Sequence, residues 1–132
     1  MAQIVPAILT NDPNEYKKQI EIFQPFAKRV QVDISDGTFA PGATIPVANV
    51  WWPQGMEVDL HMMVVRPSEH MPLILQMKPS LCIFHAETGE DLVPIFDQLR
   101  SAGIKAGVAL MKSSFPDDYR RYIEVVDHVL VF

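Results

Sequence analysis

Six short apolar runs recur along the chain, each separated from the next by a helical or looping stretch. No other feature limits the fold as much. The runs fall at residues 4–9, 29–34, 58–64, 81–85, 105–110 and 128–132. Helical patterns lie between them at about 14–26, 66–77, 91–102 and 117–125, with a shorter helical turn at 46–52. The third pattern is the clearest, because Leu92, Ile95, Phe96 and Leu99 recur at helical spacing and Gly103 follows as a stop. Asn11-Asp12-Pro13 reads as a helix start, and Pro25 disturbs that helix's end. Six strands with about five crossover helices predict a parallel sheet clothed by helices. No repeat or linker divides the chain, so residues 1–132 read as a single domain.

Three of these strands break their apolar character at the carboxyl end. Asp33 follows Val32, His61 follows Leu60, and His85 follows Phe84. Side chains alternate on a strand, so Val30, Val32 and Ile34 share one face while Gln31, Asp33 and Ser35 share the other. Both faces of a parallel sheet are normally apolar. Titratable groups near several strand ends are costly unless those ends meet at a solvated site. Asp33 alone could cap a loop, and His61 alone could be a satisfied core histidine. Together they suggest an active site.

Bulk properties narrow the class. The eleven Lys and Arg are scattered and the formal net charge is -5, so nucleic acid is not expected as a partner. No apolar run reaches the length of a membrane span. The single cysteine, Cys82, sits in an apolar strand and fits a reducing compartment. The amino terminus lacks a basic segment followed by an apolar one. A cytoplasmic protein acting on a small molecule is the expectation.

The final run, Val129-Leu130-Val131-Phe132, has no helix after it. Two architectures remain open. One is a complete open sheet of receiver or nucleotide-binding type, although no Gly-rich phosphate loop follows the first strand. The other, favoured here, is six of the eight units of a TIM-type (β/α) barrel, which usually needs about 250 residues and at least about 200. Exposed edges at the first and sixth strands would then favour homo-oligomers.

Five blocks of the chain resemble the ribulose-phosphate 3-epimerase family. Val32-Asp33-Ile34-Ser35-Asp36-Gly37-Thr38-Phe39-Ala40-Pro41 is similar to its H-x-D-x-M-D-G-x-F-V-P block. Asp59-Leu60-His61-Met62-Met63-Val64 is similar to D-V-H-L-M-V, and Phe84-His85-Ala86-Glu87 to F-H-x-E. Pro6-Ala7-Ile8-Leu9 stands where the family has P-S-I-L, and 102–110 resembles its fifth turn and strand.

The resemblance implies a (β/α)₈ barrel that interconverts ribulose 5-phosphate and xylulose 5-phosphate by inverting C3. It implies Asp33 as the base and as a ligand of a divalent cation (zinc, iron, manganese, cobalt or magnesium), with His61 as a second ligand and Gln31 at a third ligand's position. Ala7, His61 and Met63 would contact substrate, with Met62 turned under a helix. Apart from the resemblance, His85 and Glu87 share a face and would either support the site from behind or form a hydrogen-bonded pair buried under a loop.

The departures cluster at the strand ends. Gln31 replaces a histidine and offers only a neutral amide, which would lower zinc affinity and favour a harder cation, or serve to bind substrate. Ala7 replaces a serine, Ser35 a methionine, Met111-Lys112 an Asn-Pro pair, and Phe132 a methionine. A sugar-phosphate binder that is non-catalytic or altered in specificity is therefore the second reading. The partner acid and the phosphate grip belong to family segments not matched in these 132 residues, so the chain by itself is expected to be inactive.

Overall fold

A computed structural model of the chain describes residues 2–132. The strands are β1 (Ala7–Ile8), β2 (Arg29–Ser35), β3 (Glu57–Met63), β4 (Leu81–His85), β5 (Lys105–Leu110) and β6 (His128–Val131). The helices are α1 (Pro13–Phe23), α2 (Pro67–Met77), α3 (Val93–Ser101) and the single turn α4 (Arg120–Ile123). All strand pairs are parallel, and the spatial order is the chain order, β1 to β6. The result is a curled, partial TIM barrel. Among the described residues β1 pairs only with β2 and β6 only with β5.

The two faces differ in chemistry. Val30, Val32, Val58, Leu60, Met62, Cys82, Phe84, Ala106 and Val108 point outward and join the helices in one large buried cluster. This layer holds the fold together. The inner face holds a small apolar plug of Leu81, Ile83, Ala109 and Leu130. Gly107 lies beside it because a Cβ there would sit 2.8 Å from Ile83 Cγ1. At the amino-terminal end of the inner face, Arg29 Nε donates to buried Asp59 Oδ2 at 2.8 Å. Conversely, the carboxyl-terminal end carries the polar groups described below.

The expected elements are present with two differences. β1 is two residues long rather than six, since Pro6 has no N–H for the ladder and only its carbonyl is used, by Gln31 N at 2.9 Å. The short helical turn expected over 46–52 is the 3₁₀ turn Val47–Asn49. The helix expected over 117–125 splits into a 3₁₀ turn, Pro116–Tyr119, and α4. Helix α1 starts where expected, with Asp12 accepting from Asn14 N at 2.8 Å; such caps contribute about 1 kcal/mol. Of the adjacent tryptophans, Trp52 packs on the core while Trp51 is largely exposed and takes an edge contact from Tyr16. No helix among the described residues is long and apolar enough to cross a membrane.

Candidate active site

Period-two alternation brings Gln31, Asp33, His61, Met63 and His85 to one inner face. Register does the rest. Asp33 pairs with His61 across β2 and β3, while His61 pairs with Ile83, so His85 lies one diagonal step further along β4. Asp33 Oδ1 lies 3.1 Å from His61 Nδ1. The other nitrogen of His61 lies 2.8 Å from His85 Nε2. His85 Nδ1 in turn faces Glu87 Oε2 at 3.4 Å, without the alignment of a hydrogen bond. The three strand-end groups singled out in the sequence therefore form one continuous polar row.

Both histidines are buried, and the Asp33 side chain is 17% exposed. Burial, together with the neighbouring His61, lowers the His85 pKa to about 4, which leaves this ring neutral at pH 7. Burial pushes the Glu87 carboxyl upward. Hydrogen bonds from Ser114 Oγ at 2.6 Å and Met111 N at 2.7 Å outweigh it and hold the group below its ordinary value. Glu87 is thus ionised and fixed by the loop after β5.

Loops close over the row from two sides. Asp36 Oδ1 accepts from Thr38 N and Phe39 N, each at 2.8 Å, and its Oδ2 accepts from Val65 N at 2.8 Å. This carboxylate ties the loop after β2 to the loop after β3. Gly37, at φ +77°, makes the turn that lets it do so. The tie seats the Phe39 ring 4.9 Å from the His85 ring. Phe132 lies 5.5 Å from His61 and 5.6 Å from His85. Two aromatic rings therefore cover the imidazole pair.

Beside it, a cavity of about 420 Å³ opens at the carboxyl ends of β1, β2 and β3, lined by Thr10, Asn11, Ser35, Thr44 and Met63 among others. Ser35 and Met63 share the faces of Asp33 and His61, two residues further along each strand. Met62 points the other way and is fully buried under the helices. Ala7 pairs with Gln31 on the same rim.

The Asp33 and His61 pair fits two corners of a cation's coordination shell. Two ligand atoms about 2.1 Å from one ion in tetrahedral or octahedral geometry lie roughly 3.0–3.4 Å apart, and the pair's separation is 3.1 Å. Gln31 departs from a ligand's pose, since its Nε2 donates to Asp33 Oδ1 at 2.8 Å and its amide would have to reverse to offer oxygen. Among the described residues no three His, Cys, Asp or Glu side chains converge as a metal cluster. The pair therefore suits an ion that keeps water or substrate oxygens as its remaining ligands.

Several contributors were not visible in the sequence. Phe39 reaches His85 only because Asp36 folds its loop back, and Ser114 meets Glu87 across 27 residues. Asp59, on the same face as His61, gave no signal distinguishing it from a strand-end carboxylate. Its partner Arg29 identifies it as a packing residue at the opposite end of the barrel.

The chain matches a known family along almost all of its length. The family model described as "Ribulose-phosphate 3 epimerase family" covers residues 3–132. A ribulose-phosphate 3-epimerase of Helicobacter pylori is 27% identical over 98% of this chain and 60% of its own length. One of Bacillus subtilis is 26% identical over 98% of this chain and 58% of its own. A chloroplastic ribulose-5-phosphate-3-epimerase of Arabidopsis thaliana is 29% identical over 77% of this chain and 38% of its own. The chain thus spans about three fifths of the length of the two bacterial relatives.

Proposed function

This chain belongs to the ribulose-phosphate 3-epimerase family, and from that premise we propose that it supplies six strands of a barrel that epimerises a pentose phosphate at C3, with Asp33 as the base. The contact between Asp33 and His61 at the mouth of the curled sheet carries this reading. A carbon next to a ketone loses its proton when a carboxylate lies within reach and the developing enediolate charge is stabilised. Asp33 is the carboxylate at the β2 end of the row, two residues before Ser35 in the cavity wall. Its Oδ1 is oriented by the Gln31 N–H, so its Oδ2 is left to take the proton.

Thr10, Asn11 and Thr44 give the cavity hydroxyl and amide groups suited to a sugar's hydroxyls. Phe39 and Phe132 keep water from the imidazoles, and Met63 offers a soft apolar wall. Asp33 and His61 would hold a divalent cation, which when bound supplies positive charge to the sugar oxygens. Inversion also needs an acid on the opposite face of the carbon. None of the described residues that line the cavity is a carboxylate, and none of them is assigned that role.

A second reading follows from one observation: Gln31 occupies Asp33 Oδ1 with a hydrogen bond where the family pattern has a histidine. A barrel so altered would bind a sugar phosphate without turning it over. Incubating the full-length protein with ribulose 5-phosphate in deuterated water separates the two. Loss of the C3 proton signal is expected, with Asp33→Asn slowing it about 10²- to 10⁴-fold. Exchange that is equally fast in Asp33→Asn refutes the assignment of the base. Tight binding with no exchange, in the presence of magnesium, manganese, iron or zinc, selects the binder.

A further inference from the structure

The polar row ends on an unpartnered pair, His85 Nδ1 and Glu87 Oε2, both buried. Reading from β2 to the loop after β4, the atoms are Asp33 Oδ1, the two nitrogens of His61, the two nitrogens of His85, and Glu87 Oε2. The three gaps between residues are 3.1, 2.8 and 3.4 Å. Every gap lies between atoms that can both accept, so each gap needs one hydrogen. A histidine that ligates a metal does so as the neutral ring, and in that state each imidazole brings one hydrogen. Two hydrogens then serve three gaps, and one end of the row is left bare. Here that end is at Glu87. Its gap is the longest, and His85 Nδ1 and Glu87 Oε2 are both buried without a hydrogen-bond partner. Glu87 is held in place by Met111 N and Ser114 Oγ on its other oxygen.

We propose that Glu87, acting through His85, is the positioning residue that turns a bare His61 nitrogen toward Asp33 and so admits a divalent cation between them. This rests on the reading that Asp33 and His61 hold that cation. A cation in the first gap requires His61 Nδ1 to present its lone pair. Both ring hydrogens then shift one place. His61 exchanges an Nδ1–H bond for an Nε2–H bond and donates to His85 Nε2. His85 exchanges Nε2–H for Nδ1–H and donates to Glu87 Oε2. No hydrogen leaves the protein, and the orphaned carboxylate oxygen gains its donor. Ligating histidines ordinarily donate their second N–H to a carboxylate or carbonyl. In this chain the carboxylate is reached through a second imidazole.

Glu87→Gln tests the proposal with little change of shape. A glutamine keeps an oxygen for Met111 N and Ser114 Oγ. Its amide N–H donates to His85 Nδ1, which pins the His85 hydrogen on Nε2 and the His61 hydrogen on Nδ1. Ring-nitrogen NMR spectra of the full-length protein, metal-free and with Zn²⁺, would be read alongside calorimetric affinities. In the native protein, Zn²⁺ is expected to move the hydrogens to His61 Nε2 and His85 Nδ1. Glu87→Gln is expected to bind Zn²⁺ about 10- to 100-fold more weakly, with its far-ultraviolet spectrum unchanged. If that variant fails to fold, Ser114→Ala loosens the same carboxylate and should weaken binding in the same direction.

Affinity within about twofold of the native protein in a folded Glu87→Gln overturns the proposal, as does a His85 hydrogen that stays on Nε2 when Zn²⁺ binds. A native protein that takes up no Zn²⁺ or Mn²⁺ refutes the cation reading instead. The metal-free spectra then decide the role of Glu87. Both proteins should then carry the His85 hydrogen on Nε2; a His85 Nδ1 resonance displaced in Glu87→Gln by the new amide donor supports the contact, and an unchanged one overturns it.

Discussion

Arg29→Met should destabilise the protein while leaving the chemistry at the other end of the barrel intact. Arg29 Nε donates to Asp59 Oδ2 at 2.8 Å, the Asp59 side chain is 8% exposed, and its Oδ1 has no partner. At an effective dielectric of 20 the Coulomb attraction at this distance is about 6 kcal/mol before desolvation is subtracted. Breaking a fully buried pair costs about 3–5 kcal/mol, because a charge is left without compensation. The Arg29 side chain is 25% exposed, so water can enter once it is gone, and the cost is set lower, at about 2 kcal/mol. With a urea slope of about 2 kcal/mol per molar, the unfolding midpoint should fall by about 1 M. Circular dichroism against urea reads this directly. The double variant Arg29→Met with Asp59→Leu removes both charges and should recover most of the loss. A single variant within about 0.5 kcal/mol of the native protein, or a double variant no more stable than the single, would refute the assignment of Asp59 to packing.

Three further outcomes follow from the same geometry. Gly107→Ala should cost about 1–3 kcal/mol, because its Cβ would meet Ile83 Cγ1 at 2.8 Å, and adding Ile83→Ala should remove that clash; thermal melts of both variants check it. Asp36 has its pKa lowered below 3.8: burial opposes this, but its bonds from Phe39, Val65 and Thr38 outweigh it. The unfolded chain therefore takes up a proton first as pH falls, so this group's stabilisation is complete above its unfolded value and is lost as pH drops through the lower folded one. Asp36→Asn should flatten the acid limb of a stability–pH curve, and an unchanged limb would remove Asp36 as its source. Gln31→His should raise zinc affinity relative to magnesium, since imidazole replaces a neutral amide; competitive calorimetry with the two ions would expose the contrary result.

The strands were legible because their pattern is simple. β4 and β5 match their expected limits, and the outward faces of β2 and β3 are the alternate apolar residues. That same alternation placed Asp33 and His61 on one inner face. Elements with weak local signals were misjudged. Pro6 shortens β1, and the stretch after β5 divides at Tyr119 into a 3₁₀ turn and a single α turn.

His85 and Glu87 were legible as candidates behind the site, but their contacts were not. The contact of His61 with His85 depends on the register of β3 against β4, and the orientation of Glu87 depends on Ser114 in a distant loop. Neither leaves a mark in local sequence. Gln31 stood out as a departure, yet its role as a donor to Asp33 is set by side-chain geometry alone.

The convergence of Asp33 and His61 is tested most directly by an anomalous-difference map from crystals of the full-length protein grown with Mn²⁺. The expected result is one peak about 2.1–2.3 Å from both the Asp33 carboxylate and His61 Nδ1, with Gln31 beside it. Well-ordered strand ends that hold the two groups apart, or an ion held by other side chains, would contradict it.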